Sequence, residues 1–204
     1  MSMISVPRNM KIQSMSPQMK IEFFTDEEIE GMKNYIQMQF KNNNKRSEIH
    51  RRYFAFIVTL LRTGVRIDEV LQLKARDFSL ENSSVRLKTL KRRGEAYRVI
   101  PMHPELRSAV LEYFLNSHID PRSDEKVFKM TRQGVDKYFK KIQSSLNFRI
   151  HAHKFRHTFA VRAIMSGVPL NVLQKWLGHA SMFITNVYTE ITGFDTRSFI
   201  ELVK

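Results

Sequence analysis

The chain contains no cysteine. Disulfides, thiolate zinc sites, iron–sulfur clusters and cysteine nucleophiles are therefore excluded, and the fold rests on its core alone. No run approaches the ~18–20 apolar residues of a membrane span. Residues 1–20 are polar, carry scattered cations and lack the apolar stretch of a signal peptide. Glycine is scarce, at seven residues, so each one marks a break in regular structure. Acidic side chains are in deficit: 20 stand against 34 Lys and Arg, a formal net charge of +14 over 204 residues. That excess favours a polyanionic partner, nucleic acid or an anionic membrane surface, and the balance alone does not choose between them. Hydrophobic residues at 42% and aromatics at 11% suffice for a core and argue against disorder over most of the chain.

The patterning predicts a mainly α domain with one small antiparallel β-sheet, an α+β fold. Thr25 with Glu28 three residues on forms a capping box. Ile29, Met32, Ile36 and Phe40 follow at helical spacing. A second helix is expected over residues 47–62, with Phe54, Ile57, Val58 and Leu61 buried and Gly64 at its C-terminal cap. A short third helix follows at 67–73. Residues 84–92 and 96–102 are extended candidates, joined by a hairpin turn at Arg93-Gly94-Glu95. Further helices are expected at 105–115, 132–146, 155–166, 170–177, 182–189 and 196–203. There is no internal repeat, and no Pro/Gly/Ser-rich linker divides the chain. Residues 1–23 are expected to form a flexible arm and 24–204 one domain, ending in a tail helix at 194–204.

Three polar clusters interrupt apolar helical patterns. The first is Thr63-Gly64-Val65-Arg66-Ile67-Asp68-Glu69. Alone, Arg66 and Glu69 read as a surface ion pair. The second is His151-Ala152-His153-Lys154-Phe155-Arg156-His157. Its three histidines invite a zinc reading, but Lys154 and Arg156 repel a metal ion, and no nearby carboxylate or thiol completes a site. His153 and Arg156 share a helical face near a helix N-terminus, where anions are favoured. The third is Leu177-Gly178-His179-Ala180-Ser181, with Tyr188 nine residues beyond the histidine. A lone His or Tyr is ordinarily structural.

In order, the clusters resemble the catalytic domain of tyrosine recombinases, the phage-integrase-type family of site-specific DNA recombinases. That family carries an Arg in a TG-x-R-x-x-E stretch, a Lys in a β-hairpin, an H-x-x-R, an LGH and a Tyr about nine residues later. Here these are Thr63-Gly64-Val65-Arg66 with Glu69, Lys91, His153 with Arg156, Leu177-Gly178-His179, and Tyr188. The resemblance spans roughly residues 24–204. It implies catalytic roles for Arg66, Lys91, His153, Arg156, His179 and Tyr188, with Glu69 orienting Arg66 and His157 bracing the site. It implies double-stranded DNA as partner, a homotetramer on paired sites, and a cytoplasmic, nucleoid-associated protein with no membrane partner. It requires no metal and no cofactor.

These residue types suit the chemistry. Breaking a strand while keeping the phosphodiester energy needs a covalent intermediate. Tyrosine supplies the oxygen, but its reference pKa of ~10 calls for an electropositive site. Two arginines can hold the nonbridging oxygens bidentately. A lysine can protonate the leaving 5′-oxygen, and histidines can donate to the phosphate or move the tyrosine proton. Lys91 lies nearest the hairpin turn. Lys88 is the alternative, and strand alternation puts the two on opposite faces. The stretch 86–98 holds six cations and one acid, so Lys88, Arg92, Arg93 and Arg98 are expected along DNA phosphates.

Most members of this family carry a separate N-terminal helical domain that closes around DNA, and about 23 residues are too few for one. The expectation is either a minimal recombinase, resembling the short fimbrial-type DNA invertases, or a shortened chain. The apolar tail with Phe194, Phe199, Ile200, Leu202 and Val203 docks either on a neighbouring protomer or on its own domain. Two other functions compete: a non-catalytic DNA-binding regulator on the same fold, and a type IB topoisomerase-like relaxing enzyme. The full residue set disfavours the first. The LGH-to-Tyr spacing and the small size disfavour the second.

Overall fold

A computed structural model describes residues 22–42, 47–88 and 97–178. The elements expected at 182–189 and 196–203, and the hairpin turn, lie outside the described residues. Helix α1 (Asp26–Asn42) starts at the expected capping box. Thr25 Oγ1 accepts from the Glu28 amide at 3.2 Å, and Glu28 Oε2 accepts from the Thr25 amide at 3.1 Å. Asp26, Glu27 and Glu28 place negative charge at the positive end of the helix dipole. Ile29, Met32 and Ile36 are buried, as their spacing requires.

Helix α2 (Ser47–Thr63) is the centre of the domain. Besides Ile57, Val58 and Leu61, it buries Ala55, Phe56, Thr59 and Leu60, while Phe54 is only half-buried. The reason is that α2 touches α1, α6 (Ala152–Met165) and α4 (Pro104–Asn116), so no broad face is left to water. The hydroxyls of Thr59 and Thr63 survive in that setting by donating to carbonyls one turn back, at 2.7 and 2.6 Å.

Helix α3 (Ile67–Val70) is shorter than predicted. A 3-10 turn at Ala75–Asp77 leads into a three-stranded antiparallel sheet in the order β1 (Phe78–Ser79), β2 (Ser84–Lys88), β3 (Tyr97–Pro101). The sequence pattern did not reveal the two-residue β1. In the β2–β3 pair, Val85 faces Ile100, Leu87 faces Arg98 and Lys88 faces Tyr97. Val85, Leu87 and Ile100 are buried, so Arg98 shares the inward face. Arg86, Lys88, Tyr97 and Val99 lie on the outward face, where the Arg86 guanidinium sits 5.0 Å from the Tyr97 ring centroid.

Helix α4 is capped by His103, whose Nδ1 accepts from the Glu105 amide at 3.1 Å. Helix α5 (Arg132–Leu146) and helix α7 (Leu170–Leu177) match their predicted bounds. Helix α6 begins three residues before its predicted start, because the His151 ring caps it through the Lys154 amide. The main core clusters around Phe24, Phe56, Phe78, Phe114, Phe128 and Phe155. A smaller one joins α6 to α7 through Ala160, Val161, Ile164, Leu173 and Leu177. Trp176 packs against both.

The expected arm gives up its last two residues to the domain. Phe23 packs on the smaller cluster, and Glu22 Oε2 lies 3.1 Å from His151 Nε2. The next residue, Phe24, is buried and its amide donates to Thr158 Oγ1 at 2.8 Å. Among the described residues, no helix is long and apolar enough to cross a membrane.

Candidate active site

The site begins where α2 must stop. Gly64 adopts φ +62°, and a Cβ there would sit 2.5 Å from Phe159 Cδ1 and 2.8 Å from Leu177 Cδ2. Only glycine allows this left-handed turn at such close quarters. The turn presents the Gly64 carbonyl to α6 and delivers Arg66 to the residue before α3.

Arg156 on α6 receives that carbonyl. It is 5% exposed, and its two terminal nitrogens donate to Gly64 O at 3.0 Å and Leu177 O at 2.9 Å. Burial, and then the positive charge of nearby Arg66, hold its pKa down to about 10. It stays protonated at neutral pH. A guanidinium has five N–H donors, so three remain after the two carbonyls are served.

Glu69 is buried beneath this pair. Its Oε2 accepts from the Arg66 amide at 3.1 Å, while its Oε1 lies 3.8 Å from Arg66 Nη1. The orientation of Arg66 expected from Glu69 thus runs chiefly through the backbone. The close partner of Glu69 is Arg98, which meets both carboxylate oxygens, at 3.1 and 2.8 Å. The Arg98 Nε donates to Trp176 O at 2.8 Å. The expectation that Arg98 lies along DNA phosphates is therefore corrected. Its register opposite Leu87 turns it inward, and its fork is spent on Glu69 and Trp176.

His153 stands one turn before Arg156 and is exposed. Partial desolvation, followed by the charges of His151, Arg156, Arg132 and Arg66, lowers its pKa. His157 is half-buried, its ring 6.2 Å from that of His153. Its Nδ1 lies 3.1 Å from the Glu22 carbonyl, an acceptor only, so this nitrogen carries the proton. Burial lowers its pKa as well. Its bracing contact is thus with the incoming chain at Glu22. Lys88 is exposed on the outward sheet face. Lys91, Arg92, Arg93, His179 and Tyr188 lie outside the described residues. Among the described residues, no group of three His, Asp or Glu could hold a metal ion.

The structure thus gathers Arg66, Glu69, His153 and Arg156 at the junction of α2, α3, α6 and α7. It adds Arg98 as a brace. Arg98 was missed because only its pairing opposite Leu87 shows that it turns inward. His151 as a helix cap was also missed, although a polar residue just before a helical run is the ordinary sign of one.

Residues 22–193 match the Phage integrase family. A TnP I resolvase of Bacillus thuringiensis is 26% identical over 180 residues, covering 84% of this chain and 59% of that protein. The tyrosine recombinase XerC of Mesorhizobium japonicum is 32% identical over 164 residues, covering 76% and 50%. Among solved structures, a XerH site-specific recombinase in a post-cleavage complex with palindromic difH substrate aligns with TM-score 0.64 and 26% identity, over 89% of this chain and 52% of that one. The catalytic domain of bacteriophage HP1 integrase shares the fold, with TM-score 0.60 and 18% identity over 90% and 96%. The chain belongs to the phage integrase family, with the mainly helical fold and small antiparallel sheet of tyrosine recombinase catalytic domains. It spans about half the length of the curated relatives it matches.

Proposed function

We propose that this chain breaks and rejoins double-stranded DNA at specific sites through a covalent 3′-phosphotyrosine link on Tyr188. One observation carries the reading: the buried Arg156, held by the Gly64 and Leu177 carbonyls, meets Arg66, whose amide rests on Glu69, and His153 stands one turn before Arg156 on the same helix. Gathering several guanidinium groups around a single carboxylate is unfavourable unless a further anion offsets their charge. A scissile phosphate fits that demand.

In the proposed reaction the Tyr188 oxygen attacks phosphorus, the P–O5′ bond breaks, and the chain holds the 3′-phosphate. Arg66 and Arg156 stabilise the crowded, more negative phosphoryl group. His153 and His179 donate to its oxygens or take the tyrosine proton. Lys91 gives a proton to the departing 5′-oxygen. Attack by a 5′-hydroxyl of another strand reverses these steps and completes exchange. The sheet register supports Lys91 over Lys88. Arg98 reaches the site from the face of Leu87, and Lys88 lies on the opposite face.

Exchange between two duplexes needs four cleavages, one tyrosine each, so the proposal extends to a tetramer on paired sites, linked through the tail at 194–204. It further places the protein with the nucleoid in the cytoplasm. The test is a suicide duplex whose cleaved end diffuses away. The wild type should accumulate a covalent adduct. Tyr188→Phe should bind the duplex equally and form none. An adduct on Tyr188→Phe refutes the assignment. Relaxation without strand exchange between duplexes would move the function to a topoisomerase.

A further inference from the structure

Arg98 is a guanidinium at this site that the motif order did not assign to catalysis. It touches two elements at once. Two of its nitrogens hold the Glu69 carboxylate and the third donates to the Trp176 carbonyl, and its side chain is 10% exposed. The end of a helix leaves carbonyls without intrahelical partners and carries partial negative charge. In α7, the consecutive carbonyls of Trp176 and Leu177 are taken by Arg98 and Arg156 respectively. Two arginines thus cap one helix end from two sides, one from β3 and one from α6.

The chain then turns at Gly178, with φ +70°, directly before His179. A Cβ on Gly178 would lie 3.3 Å from Arg98 Cζ and 3.4 Å from its Nε and Nη1, so the guanidinium lies against the turn itself. The same carboxylate that Arg98 grips accepts the Arg66 amide. One planar fork therefore connects the segment bearing Arg66, the strand β3, and the turn leading to His179. A lysine cannot reproduce this, because an ammonium lacks the fork that matches a carboxylate edge while serving a third acceptor.

We infer that Arg98 is a positioning residue: it locks Glu69 and the last turn of α7 into one unit, which holds Arg66 and Arg156 against the same phosphate. The inference rests on the strand-breaking function proposed above. Arg98 touches no DNA in this role and acts only through Glu69 and the Trp176 carbonyl.

The decisive variant is Arg98→Lys, which keeps a positive charge beside Glu69 but loses the fork. Duplex binding should stay within about twofold, while single-turnover formation of the Tyr188 adduct should fall at least about tenfold. A duplex with sulfur as the bridging 5′-atom should not recover the rate, since the lost element is not the general acid. Amide exchange at Gly178 should rise severalfold relative to Leu173, which sits inside α7. Should Arg98→Lys be unfolded, Arg98→Lys with Glu69→Gln removes the buried carboxylate charge and takes its place. Its cleavage loss should equal that of Glu69→Gln alone if the pair acts as a unit. Unchanged exchange at Gly178, or adduct formation per bound molecule within twofold of wild type, overturns the inference. Absence of any adduct with the wild type overturns the strand-breaking reading instead, and Gly178 exchange still decides whether Arg98 holds the turn.

Discussion

Three guanidinium groups, those of Arg66, Arg98 and Arg156, gather around one buried carboxylate, that of Glu69. Among the described residues, that one negative charge does not balance three positive ones, so the site is preorganised for an anion. The histidines are tuned in the same sense. His153 and His157 both have pKa values below the ordinary 6.5, so the folded chain holds their rings neutral where an unfolded chain begins to protonate them. The unfolded state thus binds more protons below about pH 6.5, and stability must fall as pH drops through that region. The urea midpoint should be lower at pH 5.5 than at pH 7.5. His157→Asn, whose amide can still donate to the Glu22 carbonyl, should shrink that difference. An equal pH response in the variant would remove His157 from the account. Arg66, Glu69, His153 and Arg156 could be picked out through the order of motifs that resembles the tyrosine recombinases. Arg98 could not be. Val99 and Ile100 are adjacent and both apolar, so the alternation of β3 could be read with either parity, and only pairing with Leu87 decides it.

At the scale of elements, the site depends on how α2 ends. The left-handed Gly64 lets Phe159 and Leu177 close over the turn and aims its carbonyl at Arg156. Gly64→Ala places a Cβ into both side chains and forces a non-glycine residue to φ +62°. The left-handed conformation costs roughly 1–2 kcal/mol, and overpacking a filled site adds about 1–3 kcal/mol. A loss of at least about 2 kcal/mol in chemical denaturation is expected, with adduct formation reduced further because Arg156 loses its anchor. A variant as stable as wild type would mean that Phe159 and Leu177 yield without cost. Strongly amphipathic elements with clear ends, such as α5 and α7, were legible to the residue. Helix α2 showed only part of its burial, because a helix packed on three sides has no polar face to set off a stripe. The short α3 and β1 were misjudged for a related reason: four residues and two residues carry too little periodicity, and tertiary packing fixes their bounds.

Across the whole molecule, a net charge of +14 suits the long-range attraction to DNA that the proposed function requires. Each phosphate neutralised by a surface cation releases counterions, and the binding constant falls with salt by a slope of about 0.9 per contact on a log–log scale. The two sheet cations separate cleanly by this measure. Lys88 lies exposed on the outward sheet face, where the proposed function would set it along the duplex backbone. Arg98 faces Glu69 and the end of α7. Lys88→Ala should therefore flatten the salt dependence of duplex binding by roughly one unit of slope, and leave adduct formation at saturating DNA unchanged. Arg98→Lys should do the reverse, keeping the slope and losing the rate. Titrations of a labelled duplex from low to moderate salt, paired with single-turnover adduct assays, measure both quantities on the same protein. If Lys88→Ala instead abolishes adduct formation and a sulfur-bridged duplex restores it, Lys88 rather than Lys91 is the general acid, and the sheet reaches the leaving oxygen from its outward face.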